Sequence, residues 1–243
     1  MGGARPKALL DIDAEQWVVK FGDGDATDTP LVEHAAMTLA KQAGIHAAVT
    51  MPVRLAAGHA VAVKRFDRGR GRRIHCLTAH VALRAAGERF GYPELAQLLR
   101  RRGTSAADRY VADMHELFRR MVFNILIDNT DDHEKNHALL VTDAQQYELA
   151  PAYDVLPSGQ ALGFQQMRVG ELEADSTIAN ALSMAQLFEL GDKQAVAQVR
   201  RVARVVAGWR QHFASCAITQ RDIALLAEQI DRPFLADQRR EYQ

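Results

Sequence analysis

The stretch "NILIDNTDDHEKNHALLV", residues 124–141, gathers carboxylates, amides, a lysine and two imidazoles between two apolar runs. Before it, apolar residues from Tyr110 to Leu126 recur at three- and four-residue steps, which predicts a helix with one buried face. After it, "ALLVTDAQQYELA" predicts two short strands around a tight turn, a hairpin over residues 138–150. The polar segment therefore lies where a buried helix ends and a hairpin begins, and its own conformation decides what chemistry it can carry.

Two motifs overlap in this segment, and they require different backbones. His133 to His137 form H-E-x-x-H, which binds zinc when it lies on a helix and both imidazoles face one metal. Asp131 and Asn136 form D-x-x-x-x-N, the spacing of the catalytic loop in protein kinases. Residues 129–132 are turn and cap formers, and barely two helical turns would fit before the strand-like "ALLV". We therefore expect a loop, which disfavours the zinc interpretation.

Composition describes an ordinary globular chain. Its 243 residues are 48% hydrophobic and 25% charged, enough for one large domain or two small lobes. Lysine plus arginine and aspartate plus glutamate both number 30, so no overall charge points to nucleic acid or an anionic membrane. Two separate cysteines favour a reducing compartment over a disulfide framework. We expect a cytoplasmic protein that neither spans a membrane nor binds nucleic acid directly, with its arginine clusters at 68–73 and 100–102 in solvent.

The sequence pattern changes once, near residue 67. Before that point, four short apolar runs, rich in β-branched residues and bounded by turn formers, predict strands. One helix interrupts them, with Thr29 as the expected N-cap, Pro30 in the first turn and Gly44 at its end. These elements predict a small mixed β lobe over residues 1–66.

Helices dominate the rest of the chain, residues 67–243. The long helix that leads to the polar segment is expected to begin near Ser105, because Ser105 and Asp108 have capping-box spacing. The sequence thus predicts an α+β protein with a small β lobe and a larger, mainly helical lobe. The other predicted helices cover "ELAQLLRRR" and about residues 177–189, 193–215 and 219–230.

Phosphoryl transfer makes demands at other positions, and the order of the chain meets them. The glycine turn "GGARPKA" can offer backbone N–H groups to phosphates, and Lys20 in the apolar strand "WVVKF" can neutralise them. Glu33 on the following helix can pair with Lys20 across the lobe. Asp67 directly follows the strand "AVAVKRF", where a two-lobed nucleotide enzyme contacts adenine and ribose.

The polar segment would supply the remaining groups. Asp131 would act as the general base or orient the substrate hydroxyl. Asn136 would give Mg²⁺ a side-chain oxygen, and Asp154 in "LAPAYDVLP" would give a second, because a hairpin returns the chain to its start. His133 would reach the γ-phosphate. The other polar residues of the segment are expected to be structural or solvent-facing: Asp132, Glu134 and His137.

The motifs "GGARPKA", "VKF", "VKRFDR", "LFRRMVFNILIDNTDDHEKNHALL" and "LAPAYDVLP", in this order, resemble the HipA family of serine/threonine kinases, toxins of bacterial toxin–antitoxin modules. The resemblance covers essentially the whole chain and implies a two-lobed protein-kinase-like fold. It implies a catalytic loop at residues 129–137 with Asp131 as the catalytic aspartate, and a metal-binding segment at residues 150–157. It implies ATP and Mg²⁺ as cofactors, with Asn136 and Asp154 on the metal. The implied nucleotide-binding residues are Gly3, Ala4, Lys20, Lys64, Phe66, Asp67, His133, Asn136 and Asp154.

The resemblance also implies partners. Members of this family phosphorylate a protein hydroxyl, in known cases on an aminoacyl-tRNA synthetase, and many are held by a HipB-like DNA-binding antitoxin. They usually carry an N-terminal subdomain before the glycine-rich loop, whereas this sequence starts inside that loop. We therefore expect either a truncated chain or a separate small protein that supplies the subdomain. The loop contains no serine or threonine, so autophosphorylation there is not expected.

Two alternatives remain open at the level of sequence. The first is a catalytically crippled kinase-like module that binds nucleotide or an antitoxin, which the abrupt start favours. The second is the zinc hydrolase, which would need a third ligand such as Glu148 on the far arm of the predicted hairpin.

Overall fold

The computed structural model describes residues 6–69, 71–158 and 160–243. The first part of the chain forms the strands β1 (Lys7–Ile12), β2 (Glu15–Phe21), β3 (Thr50–Arg54) and β4 (His59–Lys64), and the helix α1 (Thr29–Gln42). The strands are antiparallel and lie in the order β1-β2-β4-β3, with α1 between β2 and β3 in sequence. The four strands and the helix predicted before residue 67 are therefore confirmed.

The two faces of this sheet have different neighbours. Val61 and Val63 of β4 belong to the main hydrophobic core together with α1, whereas Ala60 and Ala62 form a small second cluster with β2. Lys20 of β2 is paired with Val61 in the register, so its side chain projects from the face that meets α1. The register of β2 and β4 thus places the side chain of Lys20 on the side of the sheet that packs against α1.

The second part of the chain is mainly helical and contains two small sheets. One is the hairpin of β5 (Arg68–Gly69) and β6 (Arg72–Arg73), and the other has the order β7-β8-β9, with β7 (Cys76–Thr78), β8 (Ala138–Val141) and β9 (Tyr147–Leu149). The helices are α2 (Ala79–Ala85), α3 (Tyr92–Arg102), α4 (Arg109–Leu126), α5 (Ile178–Ser183), α6 (Asp192–Ala207), α7 (Trp209–Ser215), α8 (Gln220–Ile230) and α9 (Pro233–Glu241).

Helix α4 lies at the centre of the core and ends at the polar segment. Its residues Met114, Leu117 and Phe118 are fully buried, as the three- and four-residue spacing predicts. Arg120 is also buried, and its Nη2 donates to the carbonyl of Ala150, 2.7 Å away, where the predicted hairpin ends. The helix thereby fixes both the segment that follows it and the segment that follows the β8–β9 hairpin.

Several helix boundaries differ from the predictions. The capping box of Ser105 and Asp108 is wrong, because Asp108 has a left-handed backbone (φ +52°) and α4 begins only at Arg109, after a 3₁₀ turn. The N-cap position of α1 is Asp28, and Thr29 is already helical.

The helix predicted over residues 193–215 is interrupted at Gly208, and α7 begins at the buried Trp209. Trp209 donates its indole N–H to Asp231 (2.9 Å), a contact that fixes its orientation. The helix predicted over 177–189 ends as α5 at Ser183 and continues as a 3₁₀ turn. The strand β7 and the helices α2 and α9 were not predicted.

Two further expectations concern the surface. The arginine side chains at 72, 73 and 100–102 are exposed, as expected for solvated clusters, whereas Arg68 of the first cluster is only 22% exposed and binds Asp67. Among the described residues, the structure contains no helix with the length and apolar character needed to span a bilayer. The division into lobes at residues 66 and 67 stays a prediction, because the main core extends from α1 and β4 into the helices that follow.

Candidate active site

Lys20 joins the two parts of the chain through a pair of carboxylates. Its Nζ donates to Glu33 Oε1 at 2.5 Å and to Asp154 Oδ1 at 2.9 Å. Glu33 is 4% exposed, whereas the Asp154 side chain is 40% exposed. Glu33 therefore holds the ammonium group of Lys20 from the buried side, and Asp154 holds it from the side that faces solvent.

Local structure explains why these three side chains meet. Lys20 projects from the α1-facing side of the sheet, and Glu33 lies near the start of α1. Asp154 lies on the strand-like segment after β9, where Ala152 exchanges two backbone hydrogen bonds with His46 and Ala48 (2.8 and 2.9 Å). Asp154 itself has a left-handed backbone (φ +60°). This conformation is costly for a non-glycine residue, and such positions concentrate at functional sites.

The charges of this group stabilise one another. Burial disfavours the charged form of Lys20, but Glu33 and Asp154 outweigh it and raise the pKa of the ammonium. Burial likewise disfavours ionised Asp154, but Lys20, together with Lys7 and His133, lowers the pKa of its carboxyl. Lys7, which sequence reasoning missed, lies directly opposite Lys20 in the β1–β2 register. At neutral pH Lys20 is therefore a cation and Asp154 an anion.

One side of the loop at residues 129–137 carries Asp131 and His133, and we call it the cleft face. Its polar groups have unused hydrogen-bonding capacity. Asp131 is exposed. His133 accepts the backbone N–H of Asn136 on its carbonyl (2.8 Å), and its buried Nδ1 has no partner among the described residues. Asn136 is buried (9% exposed) and lines a small internal cavity with Asn124, Asp132 and His137 on one side and Tyr153, the residue before Asp154, on the other. The loop therefore brings Asn136 and His133 to the neighbourhood of Asp154.

The inner face of the same loop is held by a buried hydrogen-bond network, in which the Nδ1 of His137 has no partner among the described residues. Asp132 Oδ2 accepts from the Tyr92 hydroxyl and from His137 Nε2, the latter at 2.7 Å. Asn124 donates to the Tyr92 hydroxyl (3.2 Å) and accepts from Asn129 Nδ2 (3.1 Å). All five side chains are at most 2% exposed. From the sequence, Asp132 and His137 were expected to be structural or solvent-facing, and the structure shows that they are structural. The sequence did not reveal Tyr92, which lies 40 residues before Asp132.

The zinc-hydrolase alternative fails on this geometry. Residues 129–137 form turns rather than a helix, so His133 and His137 are not on one helical face. The His137 Nε2 is bound to Asp132, and Glu134 is bound to His80 (2.7 Å). Within residues 6–69, 71–158 and 160–243, no group of three or more His, Cys, Asp or Glu side chains could hold a metal.

The residues expected to contact adenine and ribose lie after β4. Phe66 packs against the Tyr153 ring, with ring centroids 5.6 Å apart. The Asp67 carboxylate accepts from Arg65 (2.6 and 2.9 Å) and from Arg68 (2.6 Å). Burial opposes ionisation of Asp67, but the two guanidinium groups outweigh it and lower the pKa of the carboxyl. A ribose hydroxyl would have to share this carboxylate with two arginines.

Lys64, one of the expected nucleotide contacts, is not brought to this group. Lys64 projects from the opposite face of the sheet to Lys20, because it is paired with Trp17, and its Nζ binds Glu15 (2.5 Å). Lys64 could therefore contact a nucleotide only through its backbone, and its assignment as a nucleotide-binding residue stays a prediction. Gly3 and Ala4 lie outside the described residues.

The donor set suits Mg²⁺ and a triphosphate. Mg²⁺ prefers carboxylate and amide oxygens, and Asp154 and Asn136 provide one of each. The charge of Lys20 and the unpartnered ring nitrogen of His133 are suited to phosphate oxygens. These residues fit the groups that a kinase requires.

Comparisons with known proteins concern the family and the fold of the chain. A family model described as the HipA-like C-terminal domain matches residues 1–209. Over 205 residues the chain is 29% identical to a Sinorhizobium fredii protein named "Putative kinase Y4dM", covering 74% of this chain and 49% of the relative. The chain thus spans about half the length of this curated relative.

Two solved structures share the fold. HipA of Shewanella oneidensis MR-1, solved with HipB and operator DNA, aligns with a TM-score of 0.73 at 20% identity, over 99% of this chain and 64% of that chain. The Helicobacter pylori proinflammatory kinase CtkA aligns with a TM-score of 0.70 at 13% identity, over 100% of this chain and 93% of that chain. The predicted α+β, two-lobed kinase-like fold is therefore confirmed.

Proposed function

The chain belongs to the HipA-like C-terminal domain family, and on that premise we propose that it is an ATP-dependent serine/threonine protein kinase. The observation that carries the proposal is the contact of Lys20 with both Glu33 and Asp154. Kinases need a lysine paired with a helix glutamate and a metal-binding aspartate beside it. Here Glu33 and Asp154, which lie 13 and 134 positions after Lys20 in the sequence, both bind it in that arrangement.

The proposed roles follow from exposure and charge. Lys20, with Lys7 beside it, neutralises the phosphates of ATP, and Glu33 holds Lys20 in place. Bound Mg²⁺, held by Asp154 and Asn136, would neutralise charge on the transferred phosphoryl group. Asp131, exposed on the loop, orients the acceptor hydroxyl and takes its proton. His133 donates from its imidazole to a phosphate oxygen.

The partners are part of the proposal. The family resemblance favours a protein substrate, an aminoacyl-tRNA synthetase being one candidate, and a toxin role under a HipB-like antitoxin; the Shewanella HipA was solved with HipB. Strand β1 is at one edge of the described sheet, and its Leu9 and Leu10 are about half exposed. A separate N-terminal subdomain protein would pair with this edge and cover these leucines.

The test is transfer of labelled γ-phosphate from ATP to a protein acceptor, with and without Mg²⁺. We expect Mg²⁺-dependent nucleotide binding and labelling of an added synthetase or of the chain itself. Asp154→Asn should abolish the labelling, and Asp143→Asn, an exposed aspartate in the β8–β9 turn, should leave it unchanged. The assay is run with and without an N-terminal subdomain protein from a relative. Mg²⁺-ATP binding without transfer under every condition would refute the kinase proposal.

A second candidate function is nucleotide binding without catalysis. The observation that favours it is the Asp67 carboxylate, which Arg65 and Arg68 already occupy. A nucleotide bound without a ribose contact would be held less rigidly, and transfer depends on positioning. This candidate would be favoured if the chain binds ATP but transfers no labelled phosphate, and if no added partner protein restores the transfer.

A further inference from the structure

A partly buried ion pair links the end of α4 to the C-terminal helix α9. Asp128 follows α4, is 1% exposed and has a left-handed backbone (φ +62°). Its Oδ1 accepts from Arg232 Nη2 at 2.8 Å, across 104 positions of sequence. Arg232 precedes α9, beyond residues 1–209 that the family model matches. The pair therefore connects the entrance of the catalytic loop to a part of the chain that the family comparison does not cover.

The same pair also holds the residues that follow the metal-binding segment. The Asp128 carbonyl accepts from both the backbone N–H (2.9 Å) and the hydroxyl (3.0 Å) of Ser158. Arg232 Nη1 donates to the carbonyl of Ala161 at 2.7 Å. The Ser158 hydroxyl is also 2.6 Å from that of Thr130, the neighbour of Asp131. Asp128 and Arg232 thus hold Ser158 and Ala161 against the residue that precedes the proposed base.

We propose that Arg232 is a positioning residue that fixes Ser158 and Ala161, and through Asp128 the entrance of the catalytic loop, in the arrangement needed for the acceptor hydroxyl to meet Asp131. The inference rests on the proposed kinase function and adds a residue outside the matched family region. Ser158 lies four positions after the proposed metal-binding residue Asp154 and contacts Thr130, the neighbour of Asp131, so the inference predicts an effect on acceptor geometry rather than on nucleotide affinity.

The chemistry of the pair supports positioning. Whether buried or exposed, an ion pair contributes little net stability compared with apolar packing, so we infer its role from the geometry it imposes. Arg232 uses its two terminal nitrogens on two different acceptors, Asp128 and Ala161. A lysine carries the same charge at a single point and cannot span both acceptors in this way. Arginine is therefore required for its shape as well as its charge.

The experiment compares Arg232→Gln and Arg232→Lys with Arg240→Gln, a matched arginine on α9 whose side chain is 71% exposed. Transfer kinetics, the Kd of Mg²⁺-ATP and amide hydrogen exchange of peptides containing Ser158 and Ala161 are measured. We expect kcat to fall about 10- to 100-fold in Arg232→Gln, the Kd to stay within about two-fold, and exchange to accelerate. Arg232→Lys should lie in between, and Arg240→Gln should match the wild type.

Asp128→Asn provides a second route if Arg232→Gln folds poorly, because it keeps the side-chain shape while removing the charge. Its effect on exchange should have the same direction as that of Arg232→Gln but be smaller, because Arg232 still holds Ala161, and the double variant should be no worse than Arg232→Gln alone. Unchanged exchange in the folded Arg232 variants, or a Kd that rises in proportion to the loss of kcat, would overturn the inference. If the wild type transfers no phosphate, the kinase proposal fails, whereas the exchange data still decide whether Arg232 holds this segment.

Discussion

The loop at residues 129–137 has two faces, and adjacent aspartates show how differently they are built. On the cleft face, Asp131 is exposed and the Nδ1 of His133 has no partner in the described chain. On the inner face, Asp132 is 2% exposed and accepts hydrogen bonds from Tyr92 and His137. One position along the chain separates a side chain open to a ligand from one fully bound within the fold.

The contrast teaches how a site can be polar and still rigid. Buried polar groups cost free energy unless they are paired, so the hydrogen bonds of Asp132 with Tyr92 and His137 fix the backbone of the loop. The loop is then ordered before a ligand binds, so binding at the cleft face costs no further conformational entropy in the loop. Phosphoryl transfer requires this kind of preorganisation. Substitutions on the two faces should therefore affect different measurements.

The largest effect is expected on the cleft face, in activity alone. Asp131→Asn removes the proposed base, and we expect transfer to fall about 10³-fold, within the range for loss of a general base. The urea midpoint should not change, because Asp131 is exposed. Asp143→Asn, also exposed, serves as the control for both measurements. A loss of stability in Asp131→Asn similar to that of an inner-face variant would erase the contrast.

On the inner face the expected effect is on stability. Asp132→Ala leaves the buried Tyr92 hydroxyl and His137 ring without their acceptor, and we expect a loss of about 3 kcal/mol in the free energy of unfolding. Urea unfolding followed by circular dichroism measures it, with Asp143→Ala, expected within about 0.5 kcal/mol of the wild type, as control. A loss below about 1 kcal/mol in Asp132→Ala would mean that the network does not hold the loop.

The same contrast explains what could be read from the sequence. The loop, the hairpin and the Lys20–Glu33 contact follow from local spacing and from the order of the motifs along the chain, and the structure confirms them. The inner network was missed because Tyr92 lies 40 positions before Asp132, and no local period links them. Arg232 was missed for the same reason. The one available signal was Asn124, a polar residue on the buried side of an apolar helix.

Local rules also misled where the backbone was unusual. Ser105 and Asp108 have the spacing of a capping box, but Asp108 adopts a left-handed conformation that no spacing rule reveals. Asp67 follows β4 as expected, yet Arg65 and Arg68 bind its carboxylate, which a sequence read for motifs does not show. The assignments of Asp131, Asn136 and Asp154 to catalysis and metal binding stay predictions.

An intermediate effect is expected where the two parts of the chain meet. Lys20→Met leaves the carboxylates of Glu33 and Asp154 close together without the cation between them, and we expect a loss of about 2 kcal/mol in stability. The Kd for Mg²⁺-ATP, measured by calorimetry, should rise at least about 10-fold, because the phosphate charge is no longer neutralised.

The double variant Lys20→Met/Glu33→Gln separates the two roles of this lysine. Removing the Glu33 charge should restore most of the stability, because the repulsion between carboxylates is relieved. It should not restore nucleotide affinity, which depends on the lost ammonium. If affinity and stability recover together, Lys20 acts only through folding, and its proposed contact with phosphate is wrong.

The smallest effect is a pH dependence far from the cleft. Burial raises the pKa of Asp113 to about 6, although the backbone N–H of Leu149 (2.9 Å) and Arg109 favour its ionised form. Because the native carboxyl binds its proton more tightly than the unfolded one, this group lowers stability as pH rises from about 4 to about 6. Asp113→Asn removes that contribution, so the variant should gain at most about 2 kcal/mol relative to the wild type across this window. Urea unfolding of both proteins at several pH values gives the difference, and a difference that is flat from pH 4 to 6 would show that Asp113 does not titrate there.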